Sequence, residues 1–336
     1  MATDKIKISI DRGGTFTDCH AIVPGKPDIV LKLLSVDPAN YEDAPTEGIR
    51  RVLELTGQPS PRGVPLSLES IDCIRMGTTV ATNALLERKG ARSALLTTKG
   101  FHDLLRIGNQ ARPDIFDLSA ARPDVLYDEV VEVHERVLPS HPQTSTDAKA
   151  WLSTCRSVTG LTGETFHVVE ELDVARIETD LLELRKRGYQ SIAVALVNSF
   201  AFPEHELKIG EIASKLGFSV ALSSLLQPMI KVVPRGMSAT ADAYLTPVIK
   251  SYVDSLSKNF IGGLHGSASK PHGCRVEFMQ SDGGLVDFRK FSGLKAILSG
   301  PAGGVVGYST TSWDPDTSVP IIGFDMGGTS TKSPKP

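Results

Sequence analysis

The sequence predicts an α/β protein. Three observations carry this: a strictly alternating apolar run opens the chain, strand-like and helix-like segments then take turns, and glycines stop those segments where turns are needed. Residues 5–10 set Ile6, Ile8 and Ile10 against Lys5, Lys7 and Ser9, a strand with one buried face. Residues 19–23 and 29–34 read as two further strands around the turn "PGKPD", giving a three-stranded antiparallel meander. A helix is expected over 44–55, ending before Gly57, and then a loop, "GQPSPRGVP". A strand at 71–76, a helix at 79–88 and a strand at 92–97 follow, and "LPSHPQTSTD" reads as a surface loop. Next come a helix at 174–187 stopping at Gly188, a buried strand at 191–197, a helix at 204–216 stopping at Gly217, and a strand at 218–222. Residues 238–256 read as a long helix that Pro247 should kink or break. The Gly-, Ser- and Pro-rich residues 262–273 read as an exposed loop or linker. A strand at 275–279, the turn "SDGG", the glycine-rich "SGPAGGVVGYS" and a last strand at 319–324 complete the order, and the polar tail "KSPKP" ends it.

The chain has 336 residues, enough for two or three domains and a sizeable core. Apolar content of 40% and charged content of 22% are ordinary for a soluble globular protein. A net charge of -3 gives no reason to expect nucleic acid or an anionic membrane as partner. No apolar run is long enough to span a bilayer and "MATDKIK" has no signal core, so cytoplasm is the default expectation. Cys19, Cys73, Cys155 and Cys274 show neither zinc nor redox spacing and are read as free thiols in a reducing compartment. The eight histidines form no metal-spaced cluster, and no nucleophile elbow or Cys–His pair supports covalent catalysis.

One pattern occurs twice. "IKISIDRGGTFTD" ends an apolar strand in Asp11, Gly13, Gly14, Thr15 and Thr17, and "VPIIGFDMGGTST" ends another in Asp325, Gly327, Gly328 and Thr329. Paired glycines let a backbone approach a ligand closely with its N–H groups inward, and the threonines add donors. An aspartate at the strand end can hold a magnesium ion through water. Together these suit the β- and γ-phosphates of a nucleotide. The bland alternative is a tight hairpin in which Gly-Gly supplies positive φ and Asp caps the turn. One copy alone favours the hairpin, whereas two copies, each after an apolar strand, favour phosphate binding by two related halves facing one cleft.

"RMGTTVATNALLERKGAR" hands a strand to a helix whose start carries Thr78, Thr79 and Asn83. Free N–H groups there suit an anionic or carbonyl-bearing ligand, and a threonine N-cap without a ligand explains the pattern equally well.

Two loops gripping phosphates from opposite sides make the chain resemble the actin, sugar-kinase and chaperone-ATPase superfamily, whose ribonuclease H-like lobes are α/β with a mixed sheet. Five ordered motifs resemble the hydantoinase/oxoprolinase family: "DRGGTFTD" at 11–18, "RMGTTVATNALLERKGAR" at 75–92, "QSDGGL" at 280–285, "LSGPAGGVVGYS" at 298–309 and "GFDMGGTST" at 323–331. Met76 and the Pro-Ala-Gly-Gly wording look most like its eukaryotic ATP-dependent 5-oxoprolinase branch. That resemblance implies ATP-driven lactam opening, in which 5-oxo-L-proline, ATP and water give L-glutamate, ADP and phosphate. By carry-over, Gly13, Gly14, Thr15, Thr17, Gly327, Gly328 and Thr329 hold phosphate. Asp11 and Asp325 are the catalytic and magnesium-positioning acids, and Thr78, Thr79, Asn83 and Asp282 lie on the substrate side. The resemblance also implies ATP and Mg2+ as cofactors and a homo-oligomer for the full-length enzyme.

It further implies three segments: an N-terminal lobe over 1–260, a linker at 261–274, and over 275–331 the start of a second lobe, incomplete and without its adenosine-binding part, before the tail at 332–336. Lys332 stands where the family's second loop carries an acid matching Asp18. Two rivals follow: a hydantoinase or acetone-carboxylase-type subunit, and a truncated non-catalytic fragment.

Overall fold

The computed structural model describes residues 5–109, 116, 117, 119, 123–141, 145–268, 273–317, 319–326, 331 and 332. The chain divides into two compact units, residues 1–89 with 248–336, and residues 90–247. The first opens with the expected meander, β1 (Ile6–Arg12), β2 (Phe16–Ile22) and β3 (Ile29–Leu34), all antiparallel. Ile6, Ile8 and Ile10 are buried while Lys7, Ser9 and Asp11 face outward, as the alternation requires. Helix α1 (Ala44–Leu55) starts where the Asp43 carboxylate accepts from the Thr46 N–H at 2.9 Å. It lies over β1–β3 and buries Ile49, Val52 and Leu53. Gly48 permits the approach, since a Cβ there would stand 3.4 Å from Leu33 and 3.5 Å from Cys19. Strand β4 (Ile71–Thr78) adds parallel to β1, and α2 (Val80–Leu86) follows it.

Glu47 of α1 is only 3% exposed at its side chain. It accepts from Arg50 at 2.6 and 2.8 Å, from Arg51 at 2.8 Å and from Arg62 at 3.2 Å. Burial pushes its carboxyl up, but the Arg50 and Arg51 hydrogen bonds outweigh that and hold it at about 2, against an ordinary 4.5. Folding therefore favours the ionised form. Its contribution is complete above pH 4.5 and is lost as the pH falls towards 2. Part of it is screened, because Glu47 borders an open cavity of about 440 Å³, so about 2 kcal/mol is expected. In urea unfolding, Glu47→Gln should lose that amount at pH 7 and progressively less below pH 4; a pH-independent gap would contradict the assignment.

The second unit is built on β5 (Ser93–Thr98), α3 (Leu104–Ile107), β6 (Glu129–Val133), β7 (Arg136–Pro139), α4 (Thr146–Leu152), β8 (Arg156–Thr159), β9 (Thr165–Glu170), α5 (Val174–Lys186), β10 (Ser191–Ala195), α6 (Glu204–Lys215), β11 (Ser219–Leu222), α7 (Ser223–Leu226) and the first part of α8 (Val232–Ser257). Four of its strands form a wholly parallel sheet in the order β11-β10-β5-β6. Ser93–Thr98 and Ser191–Ala195 are buried throughout, as in a sheet covered on both faces. On one face Ile177, Leu181 and Leu184 of α5 and Ile209 of α6 pack with Ile192 and Val194. On the other, Leu105 of α3 and Ala239 and Ala243 of α8 pack with Leu95, Ala193 and Ala195. Strands β7, β9 and β8 form a small antiparallel sheet around Phe166. Helix α8 runs unbroken through Pro247, where a kink or break is expected from sequence, and the two units divide at this residue.

The chain then returns to the first unit. Short α9 (Gly263–Ala268) occupies part of the segment expected to be linker and buries Leu264. Strand β12 (Arg275–Met279) pairs parallel with β4, and β13 (Leu285–Asp287) closes a six-stranded mixed sheet, β13-β12-β4-β1-β2-β3. The expected division at 261–274 therefore differs from the observed one, because β12 extends the sheet that β1 began. Helices α10 (Gly293–Ala296) and α11 (Ser299–Thr311) follow. Helix α11 contains four glycines, at about 1 kcal/mol each of lost propensity, yet forms against β4 and β12. Residues 319–324 carry no strand; β14 (Asp325–Met326) and β15 (Thr331–Lys332) form a separate hairpin.

Candidate functional site

Parallel strands β1, β4 and β12 run their carboxyl ends to one edge of the six-stranded sheet, the edge where α/β sheets bind ligands. Four of the five motifs meet there. The "DRGGTFTD" loop joins β1 to β2, and the Gly13 N–H donates to the Phe16 carbonyl at 3.0 Å. Gly13 is required for space rather than for positive φ, since a Cβ would lie 2.9 Å from that carbonyl. After β3, Ser35 braces the loop: its hydroxyl donates to the Gly13 carbonyl at 2.7 Å and its N–H to the Thr15 carbonyl at 2.8 Å. Gly14 and Thr15 are exposed. Thr17, expected among the phosphate donors, is wholly buried and shares a 2.9 Å hydrogen bond with the Ser35 hydroxyl, so it braces the loop from within.

Helix α2 begins beside this loop. Thr79 donates to the Arg12 carbonyl through its N–H at 3.1 Å and its hydroxyl at 3.3 Å, and Asn83 Nδ2 donates to Thr79 Oγ1. Thr78 is buried and its Oγ1 accepts from the Val80 N–H. Thr79, held by Asn83, thus joins the β4–α2 junction to the loop, while the Thr78 bond stays within the junction. Asp282 is exposed at the "SDGG" turn, where its carboxylate accepts from the Gly284 N–H at 2.8 Å. Ser281 bonds both Lys295 and Leu298, and the fully buried Ser299 donates to the Thr78 carbonyl at 2.6 Å. Thr82 also donates to the Ile297 carbonyl.

Between the outward sheet face and α11 lies a cavity of about 570 Å³. Asp11, Asp18, His20, Arg75 and Gly77 contribute its sheet side, and Ser299, Gly300, Gly303 and Gly304 its helix side. Asp18 is ion-paired to Lys32 at 2.8 and 3.0 Å, His20 contacts Asp28 at 3.0 Å, and Arg75 reaches Glu277 at 3.4 Å. Arg12, on the other face of β1, lies with its guanidinium 5.0 Å from the Tyr252 ring centre. Sequence reasoning passed over Arg12 and Gly77, although both sit inside quoted motifs. Burial pushes the Cys19 and Cys274 thiols up to about 12, which leaves them unreactive.

The second loop falls partly outside the described residues, which exclude Gly327, Gly328 and Thr329. Its hairpin pairs Asp325 with Lys332, the register in which Asp11 pairs with Asp18. Gly323, leading into it, packs against Tyr308 of α11, where a Cβ would fall 2.1 Å from the ring.

Comparison with known proteins matches residues 7–217 to the hydantoinase/oxoprolinase N-terminal region and residues 235–333 to hydantoinase/oxoprolinase. The chain belongs to the hydantoinase/oxoprolinase family. It is 53% identical to 5-oxoprolinase 1 of Arabidopsis thaliana over 330 residues, covering 97% of this chain and 25% of that one. It is 51% identical to 5-oxoprolinase of Saccharomyces cerevisiae, covering 98% and 26%. The chain thus spans about a quarter of the length of these relatives. Its α/β fold with a mixed sheet is similar to an ATP-dependent caprolactamase from Pseudomonas jessenii (TM-score 0.68, 24% identity) and to an acetone carboxylase (TM-score 0.69, 20% identity). Each likeness covers 98% of this chain and 43% of the other. No described helix is long and apolar enough to cross a membrane.

Proposed function

We propose that this chain supplies part of the nucleotide site of an ATP-dependent cyclic-amide hydrolase acting on 5-oxo-L-proline, with an actin- and sugar-kinase-like lobe for its first unit. The observation that carries the reading is the braced Gly13–Gly14–Thr15 loop, with the Asp11 carboxylate beside it at the carboxyl edge of parallel strands. The names of the relatives in the 5-oxoprolinase branch supply the substrate.

The chemistry asks for activation, because resonance makes a lactam carbonyl a poor electrophile. Transfer of the γ-phosphoryl group to the amide oxygen releases ADP and makes the lactam carbon electrophilic. One water adds to that carbon, the ring C–N bond breaks as the nitrogen takes a proton, and a second water releases phosphate from the resulting acyl phosphate to leave glutamate. Gly13, Gly14 and Thr15 present backbone and hydroxyl donors to the phosphate oxygens, held in place beforehand by Ser35 and Thr17. Gly327, Gly328 and Thr329 act from the second loop. Thr79 ties α2 to the first loop at the Arg12 carbonyl, and Thr78, Thr79 and Asn83, with Asp282 at the neighbouring turn, are the substrate side of the proposed site.

Magnesium fits the residues present. Asp11 offers hard oxygen donors at a cavity wall, and among the described residues no cluster of three or more ligating side chains could cage an ion without help. That is the donor set of an ion shared between one or two carboxylates, water and phosphates. Asp11, and Asp325 in the second loop, would hold it, and when bound it neutralises phosphate charge.

In a thermal-shift titration, saturating ATP with Mg2+ should raise the melting temperature by several degrees, while AMP should not. Assaying glutamate and phosphate with 5-oxoproline, and separately with a hydantoin or acetone, separates the lactamase reading from its hydantoinase and carboxylase relatives. A shift without turnover identifies a binding fragment. Absence of both sinks the nucleotide reading for this chain.

A further inference from the structure

We infer that Gly77 is the positioning residue for the Asp11 carboxylate; its importance to catalysis rests on the phosphate-loop reading above. Strands β1 and β4 are parallel neighbours in register, with Asp11 opposite Gly77 and Arg12 opposite Thr78. The Asp11 side chain leans across the strand gap onto the glycine. A methyl group at position 77 would sit 3.0 Å from Oδ1 and 3.8 Å from the carboxyl carbon. Such a separation is tighter than nine in ten real side-chain contacts, so the carboxylate would have to give by a few tenths of an ångström, and Gly77 has no left-handed φ that would otherwise call for glycine.

The opposite side explains why the carboxylate leans this way. On β2 the residue paired with Asp11 is Asp18. Both acids face the same cavity, and like charges directly across an antiparallel pair repel. Lys32, opposite Asp18 on β3, bonds both Asp18 oxygens and draws that carboxylate toward the far strand. Repulsion from Asp18 on one side and the space left by Gly77 on the other both favour this lean. The glycine of "GTT" therefore serves the aspartate of "DRGG", two motifs that meet at the carboxyl end of one parallel strand pair.

Two measurements test this. In thermal unfolding, Gly77→Ala should lower the melting temperature by about 3 °C, and by less than half as much when Asp11→Ala is also present. Asp18→Asn should likewise recover part of the loss, because Asp11 can then move toward β2. Equal losses with and without Asp11→Ala would overturn the contact, whatever the protein binds. The second measurement is the affinity for ATP with Mn2+, followed by the EPR signal of the free ion. Gly77→Ala should weaken it about fivefold, about 1 kcal/mol, and add nothing to Asp11→Ala. An unchanged affinity in Gly77→Ala overturns the positioning role. If the unmodified chain binds no ATP with Mn2+, the phosphate-loop reading fails, and the melting cycle still decides whether Gly77 sets the carboxylate.

Discussion

Replacing Glu206 by alanine should cost the second unit about 3–5 kcal/mol. Glu206 on α6 and Arg235 on α8 are both 0% exposed, with Nη1 and Oε1 3.4 Å apart. Each is fully engaged beyond that pair. Glu206 accepts from the Leu196 N–H at 2.9 Å, the Ser199 hydroxyl at 2.6 Å, the Ser223 hydroxyl at 2.7 Å and the Ser224 N–H at 2.9 Å. Arg235 donates to the carbonyls of Leu196, Val197 and Met229 and to the hydroxyls of Ser199 and Ser223. Burial pushes the Arg235 guanidinium down, and the Glu206 charge resists this. The pair ties the carboxyl ends of β10 and β11 to two helices. Removing the acid leaves a buried guanidinium with no counter-charge and two backbone N–H groups with no acceptor. Chemical denaturation of Glu206→Ala, and of Glu206→Ala with Arg235→Met, checks this. The double variant should recover at least 1 kcal/mol, since a neutral pair removes the stranded charge. A single-variant loss below 1 kcal/mol would show that the pair contributes little.

Such a network explains which parts of the molecule the sequence reveals. The meander of β1–β3 is written in the alternation of Ile6, Ile8 and Ile10. Helices α1, α5 and α6 end within one residue of where residues 44–55, 174–187 and 204–216 predict them, because their stop signals are local glycines. Glu206 gives no such sign, since its partners lie up to 29 residues away and it resembles any helix-surface acid until folded. Strands β7, β8 and β9 went unpredicted because Arg136–Pro139 and Arg156–Thr159 are too short to show a period. Phe166 and Val168 do alternate and offered the available signal. Residues 319–324, apolar enough to suggest a strand, have none. At the candidate site, "DRGG" and "GTT" stood out as wording, but the roles within them did not. Thr17 is turned inward by its bond to Ser35 beyond β3, and why position 77 is glycine depends on register between β1 and β4, strands separated by α1.

Ser299→Ala should destabilise the first unit by about 2 kcal/mol and loosen the candidate site as well. Ser299 is fully buried at the first turn of α11, and its hydroxyl donates to the Thr78 carbonyl at 2.6 Å. This is the last residue of β4, just beyond the Met76–Phe278 register that joins β4 to β12. Alanine removes the donor but leaves the carbonyl enclosed, and a buried acceptor without a partner costs more than the net worth of the bond it lost. The consequence for the site follows from what else this end of α11 does. Ser299, Gly300 and Gly303 form the helix side of the cavity whose sheet side holds Asp11. Thr82→Ala is the matched control, because Thr82 also bonds this segment, at the Ile297 carbonyl, but is itself only half-buried. Urea unfolding should therefore rank Ser299→Ala well above Thr82→Ala in cost. Under the nucleotide reading, the affinity for ATP, measured at a temperature where both proteins are fully folded, should fall in Ser299→Ala. Equal costs for the two variants would mean that the Thr78 carbonyl finds another donor, and that α11 is held to the sheet by packing alone.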